Sequence, residues 1–400
     1  MAEPCPALPP ERQPVIIGAL RTPVRRAHGA FGRLEAHRLL APVLGRLLAD
    51  AGVPAAQVSD VVIGNAVGGG GNVARLAALE AGLPVTVPGL TVDRQCGSGL
   101  DAIVLASRLV AAGDGTELYL AGGVESISAA PLRARRGPDG KPVFYRRARF
   151  APERFGDPDM GAAAENVAEA CGVGRERQDE FALRSHRRVL AAAAAGAFDA
   201  ETVPVDLQPH GGTGTVTDDD GPRASLTPAV LARFPAAFVF GGTVTAGNSC
   251  FDADAASAVV VTSLARAREL GAHDGLLVLG TNTAGVDPRL LGLGAADAAA
   301  RLLDRTGTVA DAVDLVEFNE AFASQTLACL DRLGIDANRA NRDGGALALG
   351  HAYGASGAVL VTRLLAQARR AGTDGQLALA MISIAGGMGT AALFRYRRLA

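Results

Sequence analysis

The sequence predicts an α/β protein built from two similar halves with an insertion between them. Three observations carry this expectation. Short β-rich runs alternate with Ala/Leu-rich amphipathic stretches, a segment near residue 96 is echoed close to the C-terminus, and a long stretch of different texture separates the two.

The first half opens with the apolar run PVIIGAL (14–20) and continues through the helical pattern EAHRLLAPVLGRLLADAG (35–52). VSDVVIGNAV (58–67) and NVARLAALEAG (72–82) repeat that order. The rhythm returns late in the chain with LLVLGTNTAG, AADAAARLLDRTG, VDLVEFNEAF and QTLACLDRLG. CGSGLDAIVLASRLVAAGDGTELYLAGGVES (96–126) and YGASGAVLVTRLLAQARRAGTDGQLALAMISIAGG (353–387) both run Ser-Gly, helix, Gly-containing turn, apolar strand, Gly-Gly. Two halves that each present a Gly-rich helix start would place a site at their interface. Boundaries follow at 1–126 and 238–276 for the first half, 127–237 for the insertion and 277–400 for the second half. The insertion carries RARRGPDGKPVFYRRARFAPERFG and HGGTGTVTDDDGPRASLTP, rich in turn residues. Its basic run, Arg133 to Arg149, fits either a solvated face or a site for phosphate groups.

Composition narrows the function. A chain of 400 residues with 48% hydrophobic and 20% charged residues is globular and large enough for several cores. Its net charge of −2 gives no general attraction to nucleic acid or to anionic membrane surfaces. The longest apolar runs are too short or too Gly-broken to insert into a bilayer. MAEPCPALPPERQ is Pro-rich without an apolar core and reads as a loose extension. Five irregularly spaced cysteines with no Cys-x-x-Cys argue against a disulfide framework or a zinc site, and point to a reducing, cytoplasmic setting.

Cys96 sits where an extended segment, LPGLTVDRQ, gives way to a helix, between Gln95 and Gly97. A free cysteine is commonly an inert core residue. At a helix N-terminus, however, the backbone N–H groups favour an anion and lower a thiol's pKa, which makes it nucleophilic. Such a nucleophile needs a base and donors for the developing oxyanion. Of six histidines, His28, His186, His210 and His273 lie in polar or loop-like surroundings and His37 on a half-exposed helix. His351 instead lies in GGALALGHAYGASG, a glycine-lined turn at the mouth of the second helix start. Asn319 follows an apolar strand, where α/β proteins keep site residues, although a turn-forming role fits it equally. SIAGGMG (383–389) places further backbone N–H groups after the last apolar strand.

These motifs together resemble the thiolase family. The resemblance runs from about residue 14 to 398 and rests on RQCGSGLDA (94–102), AGGVESIS (121–128), MGAAAENVA (160–168), GTVTAGN (242–248), NEAFA (319–323) and GGALALGHAYGASG (344–357). It implies a five-layered αβαβα fold from two similar halves plus a loop domain that holds coenzyme A. It further implies acyl transfer from CoA thioesters without a tightly bound cofactor or metal, and a homodimer or tetramer. Cys96 matches the acyl-accepting nucleophile. His351 matches the group that activates it and, with a water held by Asn319, forms one oxyanion hole; the N–H groups of Cys96 and Ala385 form the other. Met160, Ala246, Cys250, Phe251, Gly350 and Tyr353 fall at positions along the CoA and acyl path.

Two departures stand out. Family members that make or break C–C bonds usually carry a second cysteine in a Cys-x-Gly-Gly-Gly turn, where this chain has Ser383-Ile384-Ala385-Gly386-Gly387. A serine hydroxyl titrates roughly 5–7 units above a thiol, so reaching the base form costs about 7–10 kcal/mol more. Loading of Cys96 is therefore expected to survive while α-proton chemistry is slow unless another group supplies the base. Cys250 stands where a serine is usual, which is either a packing exchange or a thiol lent from the opposite wall. Phe251, Ala352 and Tyr353 replace a glycine, a proline and a small aliphatic residue, and imply an acyl pocket of altered shape. Three functions follow: a thiolase-type acyltransferase, a decarboxylative condensing enzyme with a malonyl-type donor, and a degenerate binder of CoA esters or of a partner.

Overall fold

The computed structural model describes residues 8–145 and 147–399. The first part of the expected N-terminal extension, with Cys5, lies outside them. In chain order the elements that frame the site are β1 (Pro14–Arg21), α1 (Ala36–Asp50), β2 (Asp60–Gly64), α2 (Val73–Glu80), β3 (Gly89–Val92), α3 (Ser98–Ala112) and β4 (Leu118–Glu125). After an excursion containing α4 (Met160–Cys171) and α5 (Arg175–Ala194), they continue with β5 (Ala253–Ser263), β6 (Asp274–Gly285), α6 (Gly294–Thr306) and β7 (Leu315–Phe318). Last come α7 (Ala323–Leu333), α8 (Tyr353–Ala371), β8 (Leu377–Ile384) and β9 (Met388–Arg398).

In the first half β1 pairs antiparallel with β5 and β5 antiparallel with β4, after which β4, β2 and β3 run parallel. The second half repeats this order with β6, β9, β8 and β7. A short antiparallel contact, Val15 to Leu277 and Ile16 to Leu276, joins the two sheets along β1 and β6. Helices α1 and α6 follow β1 and β6, α2 and α7 follow β2 and β7, and α3 and α8 precede β4 and β8, so the echo in sequence is an echo in topology.

Alternation along the strands sets the layers. Val61 and Ile63 of β2 face outward onto Leu40, Val43 and Leu47 of α1. Val62, between them, faces inward with Leu100 and Ile103 of α3 and Val361 and Leu364 of α8. Ala378, Ala380 and Ile382 of β8 reach the same inner layer from the second sheet. Leu379 and Met381 point the other way, onto Leu302 of α6 and Leu327 of α7. The result is the helix–sheet–helix–sheet–helix stack that the resemblance implies, with α3 and α8 as its middle layer. None of the described helices is long and apolar enough to cross a membrane.

The middle layer is tight because its helix starts are almost bare backbone. A Cβ on Gly99 would lie 2.5 Å from the Gly354 oxygen, and one on Gly357 would lie 2.6 Å from the Leu100 nitrogen. Among the described residues, the excursion between β4 and β5 adds no strand to either sheet. It forms two small hairpins and the helices α4 and α5, and the large sheet resumes at Ala253.

Candidate active site

The turn from β3 into α3 is a clamp. Gln95 has φ +47°, left-handed backbone that a residue with a Cβ adopts at a cost of about 1 kcal/mol. Ser98 holds it there: its hydroxyl donates to the Gln95 carbonyl at 2.6 Å and accepts from the Arg94 N–H at 2.8 Å. Asp93 accepts from the Gln95 N–H at 2.7 Å. Gly97 donates to the Arg94 carbonyl at 2.9 Å, and a Cβ there would lie 2.3 Å from Ile384. Cys96 is carried at the apex, half-buried.

The thiol differs electrostatically from the sequence-based expectation. Burial pushes Cys96 up to about 12, against the opposing N–H groups of Ala385 and of Cys96 itself, while the charges of Glu125 and Asp93 add to the rise. Cys96 precedes both the first helical residue and the N-cap Gly97, and desolvation outweighs the helix-end field there. Ala385 lies in the β8–β9 turn with Gly386 and Gly387 at φ +85° and +83°; a Cβ on Gly387 would meet the Val286 carbonyl oxygen at 2.4 Å. This turn delivers the Ala385 N–H to the sulfur.

His351 reaches the same cavity from the other half. Its N–H donates to the Phe251 carbonyl at 2.9 Å, and its Nδ1 lies 2.6 Å from the Ser356 hydroxyl in the first turns of α8. Nε2 is buried without a hydrogen-bond partner among the described residues. Burial lowers His351 to about 4, so the ring is neutral at physiological pH and Nε2 is the nitrogen left for chemistry.

One cavity of about 320 Å³ brings together Cys96, His351, Ser383, Ala385, Cys250 and Tyr353, with Met160 of α4 also on its wall. Asn319 does not line it. Its side chain is buried, with Nδ2 unpartnered among the described residues, in a narrow space of about 30 Å³ shared with Gly350 and Ser356. Ala246 is exposed and outside the cavity wall. Phe251 is also outside it, packed on Gly350, where a Cβ would come within 2.6 Å of the ring, and stacked 3.9 Å under the Arg26 guanidinium. Along this run Ser249, Cys250 and Asp252 line the cavity, while Phe251 turns away onto Gly350.

Ser383 lines the cavity, but its hydroxyl is already engaged. It donates to the Gly292 carbonyl at 2.6 Å and accepts from the Ala295 N–H at 3.2 Å and Gln325 Nε2 at 3.3 Å. Cys250 is pushed upward by burial and then by the neighbouring Asp252 charge. Arg147, from the insertion, is ion-paired to Asp157 and Asp159 at 2.9 and 2.7 Å. Arg133, on the same wall, has no carboxylate partner among the described residues and offers a free cation.

Several site residues escaped the sequence reading. Asp252 lines the cavity and accepts from the Tyr353 hydroxyl at 2.6 Å. Ser356 was signalled only by its spacing from His351, and Gln325 only by its place in the helix after NEAFA. His186, read from sequence as lying in polar or loop-like surroundings, is buried on α5; it accepts from the Arg223 N–H at 3.1 Å and is lowered to about 4 by burial and two arginines. The described residues contain no cluster of metal-ligating side chains.

Comparison with known proteins agrees with this architecture. The thiolase N-terminal domain matches residues 14–265 and the thiolase C-terminal domain matches residues 276–396. A protein of Staphylococcus aureus named "Putative acetyl-CoA C-acetyltransferase VraB" is 42% identical over 386 residues, which is 96% of this chain and 99% of that one. A protein of the same name from Staphylococcus haemolyticus is 42% identical over 388 residues, covering 96% and 98%. The crystal structure of the Bacillus anthracis acetyl-CoA acetyltransferase superposes with a TM-score of 0.89 at 33% identity, covering 96% of this chain and 99% of that one. With both domains matched in order and relatives of the same length, the chain belongs to the thiolase family, a family of acyltransferases.

Proposed function

We propose that this protein is a CoA-dependent C-acyltransferase that works by a ping-pong route through an acyl-Cys96 intermediate. The carrying observation is the meeting of the Cys96 sulfur, the Ala385 N–H and His351 in one cavity. The resting pair is a neutral thiol beside a neutral imidazole. When a thioester carbonyl arrives, His351 Nε2 takes the thiol proton as sulfur attacks the carbonyl carbon. Oxygen then carries the charge, and the N–H groups of Cys96 and Ala385 are placed to receive it. Collapse expels CoA, which leaves with the proton from His351. Arg133 supports binding of a CoA phosphate, and no tightly bound cofactor is needed. In the second half-reaction the acyl group passes to the α-carbon of another acyl-CoA, or back to CoA in thiolysis. Assembly as a homodimer is part of this reading.

The engaged hydroxyl of Ser383 favours one alternative for the second step. Decarboxylation of a malonyl-type donor generates the carbon nucleophile without an α-proton base.

The test is intact-mass measurement after mixing with acetyl-CoA. An acetyl adduct that maps to Cys96 and disappears in Cys96→Ala is expected. If the wild-type protein gains no mass, the reading fails and binding without turnover takes its place.

A further inference from the structure

A condensation or thiolysis needs a group that exchanges a proton with the α-carbon, and Ser383 is spent on Gly292 and Gln325. Few groups on the cavity wall can accept a proton. Cys96 carries the acyl group, and His351 serves its sulfur. Cys250 is held protonated by burial and by the adjacent anion. Tyr353 donates its hydroxyl hydrogen bond to Asp252 Oδ1 and stays protonated, its pKa raised by burial and by that carboxylate. Asp252 is the only carboxylate lining the cavity among the described residues.

Its position is built rather than incidental. The backbone of Asp252 forms a β-bridge with His351. Its Oδ1 is oriented by Tyr353, and that ring stands edge-on to the His351 imidazole with centroids 5.2 Å apart. Oδ2 has no side-chain or backbone partner among the described residues. Asp252 and Tyr353 lie 101 positions apart and meet in this cavity.

We propose that Asp252, oriented by Tyr353, is the base that removes the α-proton of the second acyl-CoA, a role the engaged hydroxyl of Ser383 does not fill. This rests on the reading that Cys96 carries the acyl group. Asp252 Oδ2 takes the proton, and the C–H electron pair becomes the thioester enolate. The enolate carbon attacks the acyl-Cys96 carbonyl, a C–C bond forms, the C–S bond to Cys96 breaks, and the sulfur leaves as thiolate. The proton on Asp252 returns to that thiolate or passes to solvent, which the exposed carboxylate reaches directly. A carboxylate is a weaker base than a thiolate, and the step relies on its orientation by Tyr353.

Hydrogen–deuterium exchange at the acetyl methyl of acetyl-CoA in D₂O, expressed per acylated enzyme, isolates this step from loading. Asp252→Asn is expected to lower that ratio by about 100-fold or more. Asp252→Glu, which keeps the carboxylate, is expected to remain within about tenfold of wild type, and Tyr353→Phe to fall between the two. An unchanged ratio in Asp252→Asn overturns the proposal. So does exchange that vanishes in Cys250→Ala while persisting in Asp252→Asn. A wild-type enzyme that loads but does not exchange, and instead releases CO₂ from malonyl-CoA, overturns it in favour of the decarboxylative step. Absence of any Cys96 adduct is a different failure, visible in the mass alone, and removes the underlying acyltransferase reading as well.

Discussion

At the scale of single residues, the proposed reaction starts from two groups that are neutral at rest. Cys96 is raised to about 12 and His351 lowered to about 4, both chiefly by burial. In the proposed route, charge therefore develops only as the thioester is attacked, where the Ala385 N–H can meet it. For a histidine base with a depressed pKa, the competent neutral form persists until pH falls toward 4. CoA release on acyl loading should accordingly hold level from about pH 7 to 5 and decline only below that; an acidic limb near 6.5 would contradict the buried imidazole. Ser383→Cys should place a thiol on the cavity wall and raise methyl exchange by about tenfold or more, followed by mass spectrometry of acetyl-CoA. Cys96 and His351 were legible in the sequence because glycines crowd around each and mark backbone that must pass close to something. Asp252 was not, because it reaches the cavity only where its backbone pairs with that of His351, far along the chain.

Among the elements, the contact of α3 with α8 decides where the two reactive groups sit. Helix propensity alone predicts that Gly99→Ala would stabilise α3 by about 1 kcal/mol. The new methyl would instead meet the Gly354 carbonyl oxygen at 2.5 Å and the Ala358 nitrogen at 3.0 Å, both backbone. A net loss of about 2 kcal/mol in urea unfolding is expected, with weaker acyl loading as the helices part. A Gly99→Ala protein as stable as wild type would show that the middle layer has slack. The small residues at both helix starts were plain in the sequence. Their facing each other across the molecule was not, since no local pattern records which helix a glycine must approach.

The whole molecule is tied together by buried charge as well as by its cores. Arg21 of β1 bonds Glu201 at 2.7 Å, and Arg363 of α8 bonds the other oxygen of the same carboxylate. Asp219 and Asp343 complete the network, and the Phe198 ring lies between the two guanidinium groups at 5.2 and 4.4 Å. First half, excursion and second half thus share one ionic centre. Glu201→Gln would leave two buried cations short of a partner and should cost about 3–5 kcal/mol, read from denaturant midpoints. Duplication and layering were readable from the repeated rhythm of strand and helix. This centre was not, because its members stand far apart in sequence and an isolated Arg or Glu carries no periodicity.

One consequence follows from the Ser98 clamp around Gln95. A segment stapled at both ends by one hydroxyl has little freedom to give up when a reactant arrives. In the proposed route the Cys96 sulfur is thus aimed before any guest enters, and the entropic toll of organising it falls on folding rather than on each turnover. Amide exchange at residues 94–98 should be as slow in the empty protein as in the acetylated one.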